Sequence, residues 1–332
     1  QGNFYLGFDD QGKILKTIVD PQKIFGQITD FSYPAEFLKS DKFIFPNSQI
    51  NRNKTPCAFA YGSFTLNANN QKTFSSLAGN MRSLQMLNAA KKRITSKEYL
   101  PAKKTENKKI IEDLQDNIET QSSCPEFDLY AKQTYLDNIM RGGWPMIFEE
   151  SDNKYPFYIY SRKHGDIERD YNRFHLQAAY FSQGNGNYRD INQNRRCDNW
   201  FNPDVGEENI LAFFNLTQTD GFNPLVIKGA TYSLNQQDKL EIKLKNIIKN
   251  QELKQILCFL KTPFTPGDLI LFLEDQNIKL NIRAEEFLAK VISCSINNHE
   301  AEHGEGFWTD HWTYNLDLLE NYLAIFPENF QD

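Results

Sequence analysis

Two stretches of this 332-residue chain hold side chains whose types and spacing could do chemistry. The first runs from Gln183 to Phe201 and reads QGNGNYRDINQNRRCDNWF. It sets Arg189, Asp190, Asn192, Gln193, Asn194, Arg195, Arg196 and Asp198 between the rings of Tyr188 and Trp200. Such groups cannot be buried without partners, because each unpaired polar group costs kilocalories. Either they satisfy one another in a structural network, or they line a wet cleft and bind a polyhydroxyl ligand. Planar donors and acceptors beside aromatic plates suit a sugar, and Gly184-Asn185-Gly186 would let backbone approach closely. The same glycines do not make a nucleotide cradle, since neither the Walker nor the dinucleotide spacing is present. A neighbouring run, HGDIERDYNRF at 164–174, has similar composition.

The second stretch is HEAEHGEGFWTDHWTYN, His299 to Asn315. On a continuous helix, His299-Glu300-x-x-His303 would place two imidazoles on one face for zinc, with a glutamate as base. Gly306 sits where an extended motif wants glycine, but position 309 is Thr and His311 is out of register; Glu320 is the nearest carboxylate for a third ligand. Gly304 and Gly306 also argue that a helix would end at His303. The competing reading is a loop leading into a helix, with Trp308, Asp310, His311, Trp312 and Tyr314 facing a cleft or a packed junction. His164 and His175 read as structural histidines, and the sequon Asn215-Leu216-Thr217 as coincidence.

Elements must position these residues. Phe4–Phe8, a turn at Asp9–Gly12 and Lys13–Val19 predict a hairpin, and Cys57–Leu66 predicts a further strand. Met81–Lys92 and Lys108–Thr120 predict helices, with a solvated Lys-rich linker at 91–109. Ser123-x-x-Glu126 reads as a capping box opening a helix that Gly142-Gly143 stops. The polar 150–204 region reads as loops, the kind that carry function. Helical patterns return at 236–258, 269–275 and 284–292, and a last helix spans 308–326 with Leu316, Leu319, Tyr322 and Leu323 inward.

The composition narrows the function classes. A net charge of -6 argues against a nucleic-acid backbone binder. Aromatic residues make up 14%, which fits a large core or a sugar-stacking cleft. Five cysteines without a C-x-x-C pair predict reduced thiols and a cytoplasmic protein. No apolar run approaches a membrane span and no signal peptide is visible. The chain starts at Gln1, which reads as processing or excision.

YRDINQN, Tyr188–Asn194, resembles the F/Y-R-D-x-N-Q-D signature of the cellobiose and chitobiose phosphorylase family, in particular its large bacterial cellobiose phosphorylase-like group. HWTYNLDLLENYLAIFPE at 311–328 shares the resemblance, which is strongest over 124–204 and 299–328. It implies an α+β chain: a β-sandwich portion at 1–75, a helical linker at 76–122, and part of an (α/α)6 barrel at 123–332 with a helical insert at about 232–295. It implies a carbohydrate-active segment that binds a β-linked oligosaccharide for inverting phosphorolysis, a glycosyltransferase activity with inorganic phosphate as co-substrate and no cofactor. The substrate-binding residues it implies are Tyr188, Arg189, Asp190, Gln193, Asn194, Trp200, Asp310 and Trp312. The signature's final Asp is Asn194 here, which keeps hydrogen bonding and loses charge. No G-D-W-N-D-like general-acid motif is present, and too few residues follow Ser123 for twelve barrel helices. The expectation is therefore the first part of a larger parent chain, with no catalytic residue assigned and a homodimer as the implied assembly. Two other functions remain open: a non-catalytic carbohydrate-binding or scaffold module, and a zinc metallopeptidase through His299 and His303.

Overall fold

In the computed structural model, which describes residues 2–159, 179–304 and 308–331, the chain is a mixture of helices and small sheets. It divides into two units, residues 1–110 and 111–332. The run 164–174 lies outside the described residues.

In the first unit, β1 (Gly2–Asp9) is followed by β2 (Lys16–Ile18), α1 (Gln22–Phe25), α2 (Ala35–Leu38), β3 (Phe59–Tyr61), β4 (Phe74–Met81), α3 (Leu84–Ile94) and α4 (Tyr99–Gln115). The turn after β1 forms as its residues predict: Gly12 takes a φ of 76° and the Asp9 carboxylate accepts from the backbone N–H of Gln11 and Lys13. The strands it joins do not pair as a ladder. β1 pairs antiparallel with β4, from Gly2 opposite Met81 to Asp9 opposite Phe74, and β2 pairs with β3. Only the bridge between Phe8 and Ile14 remains of the expected hairpin. The strand expected over 57–66 is confined to Phe59–Tyr61, and α4 takes in much of the expected solvated linker.

The second unit opens with α5 (Pro125–Gly142), with Pro125 at its first position and Cys124 as N-cap. The expected Ser123 capping box is not the cap that forms. Asp128, in the first turn, reaches back to accept from the Thr120 hydroxyl and the Ser122 N–H. Gly143, at φ 91°, ends the helix where the glycine pair predicts. The hairpin β5 (Trp144–Glu150) and β6 (Asn153–Ile159) follows, then β7 (Gly186–Asn187), α6 (Tyr188–Arg195), α7 (Asp198–Phe201) and α8 (Glu208–Phe214). After these come β8 (Val226–Ile227), β9 (Thr231–Leu234), α9 (Gln237–Leu244), α10 (Asn250–Phe259), α11 (Pro266–Asp275) and α12 (Ala284–Ile292). The unit closes with β10 (Ser295–Asn298), β11 (Ala301–Glu302) and α13 (Thr309–Ile325). β8 lies between β7 and β11, and β9 pairs with β10.

The stretch read as an insert, about 232–295, supplies most of the main core. Leu240, Leu244, Ile256, Leu269, Phe287 and Leu288 pack with Phe148 and Phe157 of the β5–β6 hairpin. Each such side chain contributes about 1.5–3 kcal/mol when fully buried. Thr265 caps α11 by accepting from the N–H of Asp268, with Pro266 in the first turn. A second cluster, Tyr188, Ile191, Ala212, Phe213 and Leu318, joins α6, α8 and α13. It is this cluster that fixes the candidate site. All five cysteines are free. Among the described residues no helix is long and apolar enough to cross a membrane.

Candidate functional site

Tyr188–Arg195 is a helix rather than a loop, so its polar residues divide by the helical period. Tyr188, Ile191, Asn192 and Arg195 fall on the inner face and are buried. Tyr188 is 0% exposed, and its hydroxyl hydrogen-bonds Phe213 O and Asn315 Oδ1, each at 3.0 Å. Asn192 donates to the same Asn315 oxygen at 2.6 Å. Arg195 donates from Nε to Gly142 O at 2.7 Å, and its guanidinium carbon lies 3.6 Å from the centre of the Tyr158 ring. Gly142 lets α5 come this close, since a Cβ there would meet Asn194 Cβ at 3.1 Å and Arg195 Cγ at 3.2 Å. This half of the block forms the structural network, and Tyr188 belongs to it.

The outer face carries Arg189 and Gln193. The Arg189 side chain is 48% exposed. Its guanidinium is 2.9 Å from Asp190 Oδ1 on one side and 3.8 Å from Asp310 Oδ2, at the start of α13, on the other. The two carboxylates raise the guanidinium pKa further, Asp190 through its hydrogen bond. One turn of α13 therefore meets the first turn of α6 and brings together residues far apart in the chain. Trp308, 37% exposed and two residues before Asp310, stacks on His311 at 6.1 Å, and His311 stacks on buried Tyr188 at 5.3 Å. Burial lowers the His311 pKa, with Asp190 and Asp310 opposing and Arg189 assisting. Burial thus favours the neutral ring, which serves as the middle plate of a three-ring stack running from core to surface.

Of the other expected residues, Gln193 lies one turn along the same face as Arg189, and the rest make contacts of their own. Asn194 donates to Asp190 O at 2.6 Å, a bond back along its own helix. Gln193 is exposed. Trp200 is 55% exposed, and its indole donates to Asn321 Oδ1 at 2.6 Å. Trp312 is half-buried, donates to Gly221 O at 3.2 Å and packs edge-on to Phe214.

The His299–His303 segment is not helical. His299 and Glu300 connect β10 to β11. The carbonyls of Glu300 and Glu302 accept from Lys228 and Leu225, completing the edge of β8, and a helix would leave those donors unpaired. The two imidazoles thus lack the shared face that the zinc motif requires, and His303 instead places a ring nitrogen 3.1 Å from Leu216 O. Among the described residues no three His, Cys, Asp or Glu side chains cluster to hold a metal.

A second polar group lies behind α6, unforeseen as a unit. Tyr158 donates to Asp198 Oδ2 at 2.7 Å and accepts from Asn209 Nδ2 at 2.7 Å. Burial pushes the Asp198 carboxyl up to about 7, against the opposing pull of Tyr158, Arg195 and Asn209. Burial also raises Glu208, with the Arg195 charge opposing. In the sequence Asp198 lies inside the polar block, but Tyr158, Asn209 and Glu208 carry no local pattern that ties them to it.

No protein-family model, curated protein or solved structure matches the chain.

Proposed function

We propose that this chain is a carbohydrate-binding, glycoside phosphorylase-like protein whose saccharide site is the Arg189–Asp190–Asp310 patch together with Trp308. The observation that carries the reading is the half-exposed Arg189 held between two carboxylates, one of them two residues after the exposed Trp308. A guanidinium offers parallel N–H donors, and carboxylates accept from neighbouring hydroxyls, so vicinal diols can be gripped in one plane. The indole gives the C–H face of a sugar ring a plate. The ligand is a β-linked oligosaccharide, with inorganic phosphate as co-substrate if turnover occurs. In this reading the strands of 1–75 are a portion of a β-sandwich, and α5, α6, α8 and α13 are a portion of a helical barrel.

A non-catalytic binding module is the second reading, favoured by one contact. Asn194, where the signature has an Asp, uses its amide on Asp190 O within α6. Calorimetry with a panel of β-linked gluco-oligosaccharides tests both readings. Binding that weakens about 10- to 100-fold in Arg189→Ala, the loss of one or two charge-assisted hydrogen bonds, supports the site. Unchanged binding in that variant refutes it. Phosphate consumption with the same saccharides separates the phosphorylase from the module.

A further inference from the structure

The face of α6 opposite Arg189 looks onto a cavity that the saccharide patch does not use. Its walls come from β6, α6, α8, β8, β9, β10 and the turn after β10. The cavity measures about 50 Å³. One water needs roughly 10–15 Å³ on that scale, so it holds a few waters or the end of a small chain, but not a sugar ring.

Its lining selects a chemical class. Ile191, Ala212, Leu216 and Ile227 give apolar walls suited to C–H groups. The polar wall is Glu208 and Asn297, joined by a 3.3 Å bond from Asn297 Nδ2 to Glu208 Oε1. Asn297 Oδ1 is buried with no partner, an acceptor left wanting a donor. Gln183 stiffens the rim, donating to Tyr158 O at 2.9 Å and accepting from Ala230 N at 2.5 Å. A cation is disfavoured by the buried Arg195 beside the cavity, and an anion by the Glu300 carboxylate at its rim. Lys228 is drawn to Glu300 and Glu302 at 3.8 and 3.5 Å. Burial raises Glu208 toward its neutral form, and burial with the Arg195 charge lowers His299 toward its own. The fitting ligand is neutral, donates hydrogen bonds and carries C–H surface.

We propose that this cavity binds the hydroxymethyl end of a neutral polyol, with Glu208 and Asn297 as its hydrogen-bonding wall. The end hydroxyl donates to Asn297 Oδ1 and exchanges a hydrogen bond with the Glu208 carboxyl, while the methylene meets Ile191 and Leu216.

Saturation-transfer NMR to meso-erythritol tests this on the full chain. All variants are made in an Arg189→Ala background, so that the surface patch contributes nothing and its failure stays distinct from this one. Transfer to the erythritol CH₂ protons is expected in that background. Glu208→Leu, Asn297→Leu and the cavity-filling Ala230→Leu, each folded by circular dichroism, are expected to weaken it about tenfold, the worth of one hydrogen bond. Three independent elements are changed, so loss of fold in one variant leaves the others to decide. Glu208→Gln, which copies the neutral carboxyl, is expected to retain transfer. Absence of transfer, which would mean the cavity holds water only, overturns the proposal. Transfer indifferent to all three blocking variants overturns it too. Loss in Glu208→Gln would require a charged carboxylate and overturns the protonated Glu208 carboxyl as part of the wall.

Discussion

Asp198 shows how one buried group ties the site to pH. Its folded pKa of about 7 stands above the ordinary 3.8. Between those values the folded carboxyl keeps a proton that the unfolded one releases. Asp198 therefore contributes stability that is fully present below pH 3.8 and is lost as pH rises through about 7. Asp198→Asn keeps the hydrogen-bonding shape without titrating. Its unfolding free energy is expected to lack this decline, and to gain on the parent protein between pH 4 and pH 8 by on the order of 4 kcal/mol. Urea unfolding of both proteins at the two pH values measures the difference. Parallel pH profiles would show that Asp198 titrates normally in the fold.

At the scale of elements, two contacts make opposite demands on neighbouring residues. Asp128 carries the start of α5 by accepting from Thr120 and Ser122. Asp128→Ala is expected to cost about 1 kcal/mol, as for loss of a helix cap, while Ser123→Ala stays within about 0.5 kcal/mol. Thermal unfolding of the pair checks the assignment, and the reverse ranking would restore the Ser123 box. At the far end, Gly142→Val would drive a side chain into Asn194 and Arg195 of α6. It is expected to cost about 1–3 kcal/mol through overpacking, read as a lowered Tm.

The same elements explain how far the sequence was legible. α12 follows from its apolar period and the end of α5 from Gly142-Gly143; α13 forms where expected, but its inner face is His311, Asn315 and Leu318, and Leu316, expected inward, is 53% exposed. α6 was hidden because half of its inner face is polar. The Asn192 amide N–H and the Arg195 guanidinium are held by Asn315, Gly142 and Tyr158, none of which is near them in sequence, while Asn192 Oδ1 is buried with no partner. Without those partners the segment reads as a wet loop. The partner of β1 was hidden for a related reason, since the alternation in Phe4–Phe8 predicts a strand but not that β4 will complete it. The H-E-x-x-H spacing fits a helix in letters alone, and the unpaired edge of β8 decides for strands. Within the candidate site, Arg189 and Asp310 were readable as residues, but their approach and the Tyr188–His311–Trp308 stack were not.

For the whole molecule, the two units differ in charge and in core. Residues 1–110 hold 17 Lys and Arg against 8 Asp and Glu, and residues 111–332 hold 20 against 35. The buried apolar residues of the first unit are few: Phe8, Ile18, Ile24 and Ile94. Phe31, Tyr33, Phe37 and Phe64 are exposed there. Local opening should follow that difference. Amides of β2 and β3 are expected to exchange with solvent well before those of α12, which packs in the main core. Hydrogen exchange followed by mass spectrometry reads the order directly, and equal protection would contradict it.

Where a saccharide sits can be read from the four tryptophans, which are natural reporters of it. Titrating a β-linked gluco-oligosaccharide into the ¹⁵N-labelled chain is expected to move the Trp308 indole and Arg189 Nε–H signals together, and to leave the Trp200 indole, held by Asn321, in place. Signals that stay fixed at Trp308 and Arg189 while the saccharide binds elsewhere, or does not bind, would contradict the account.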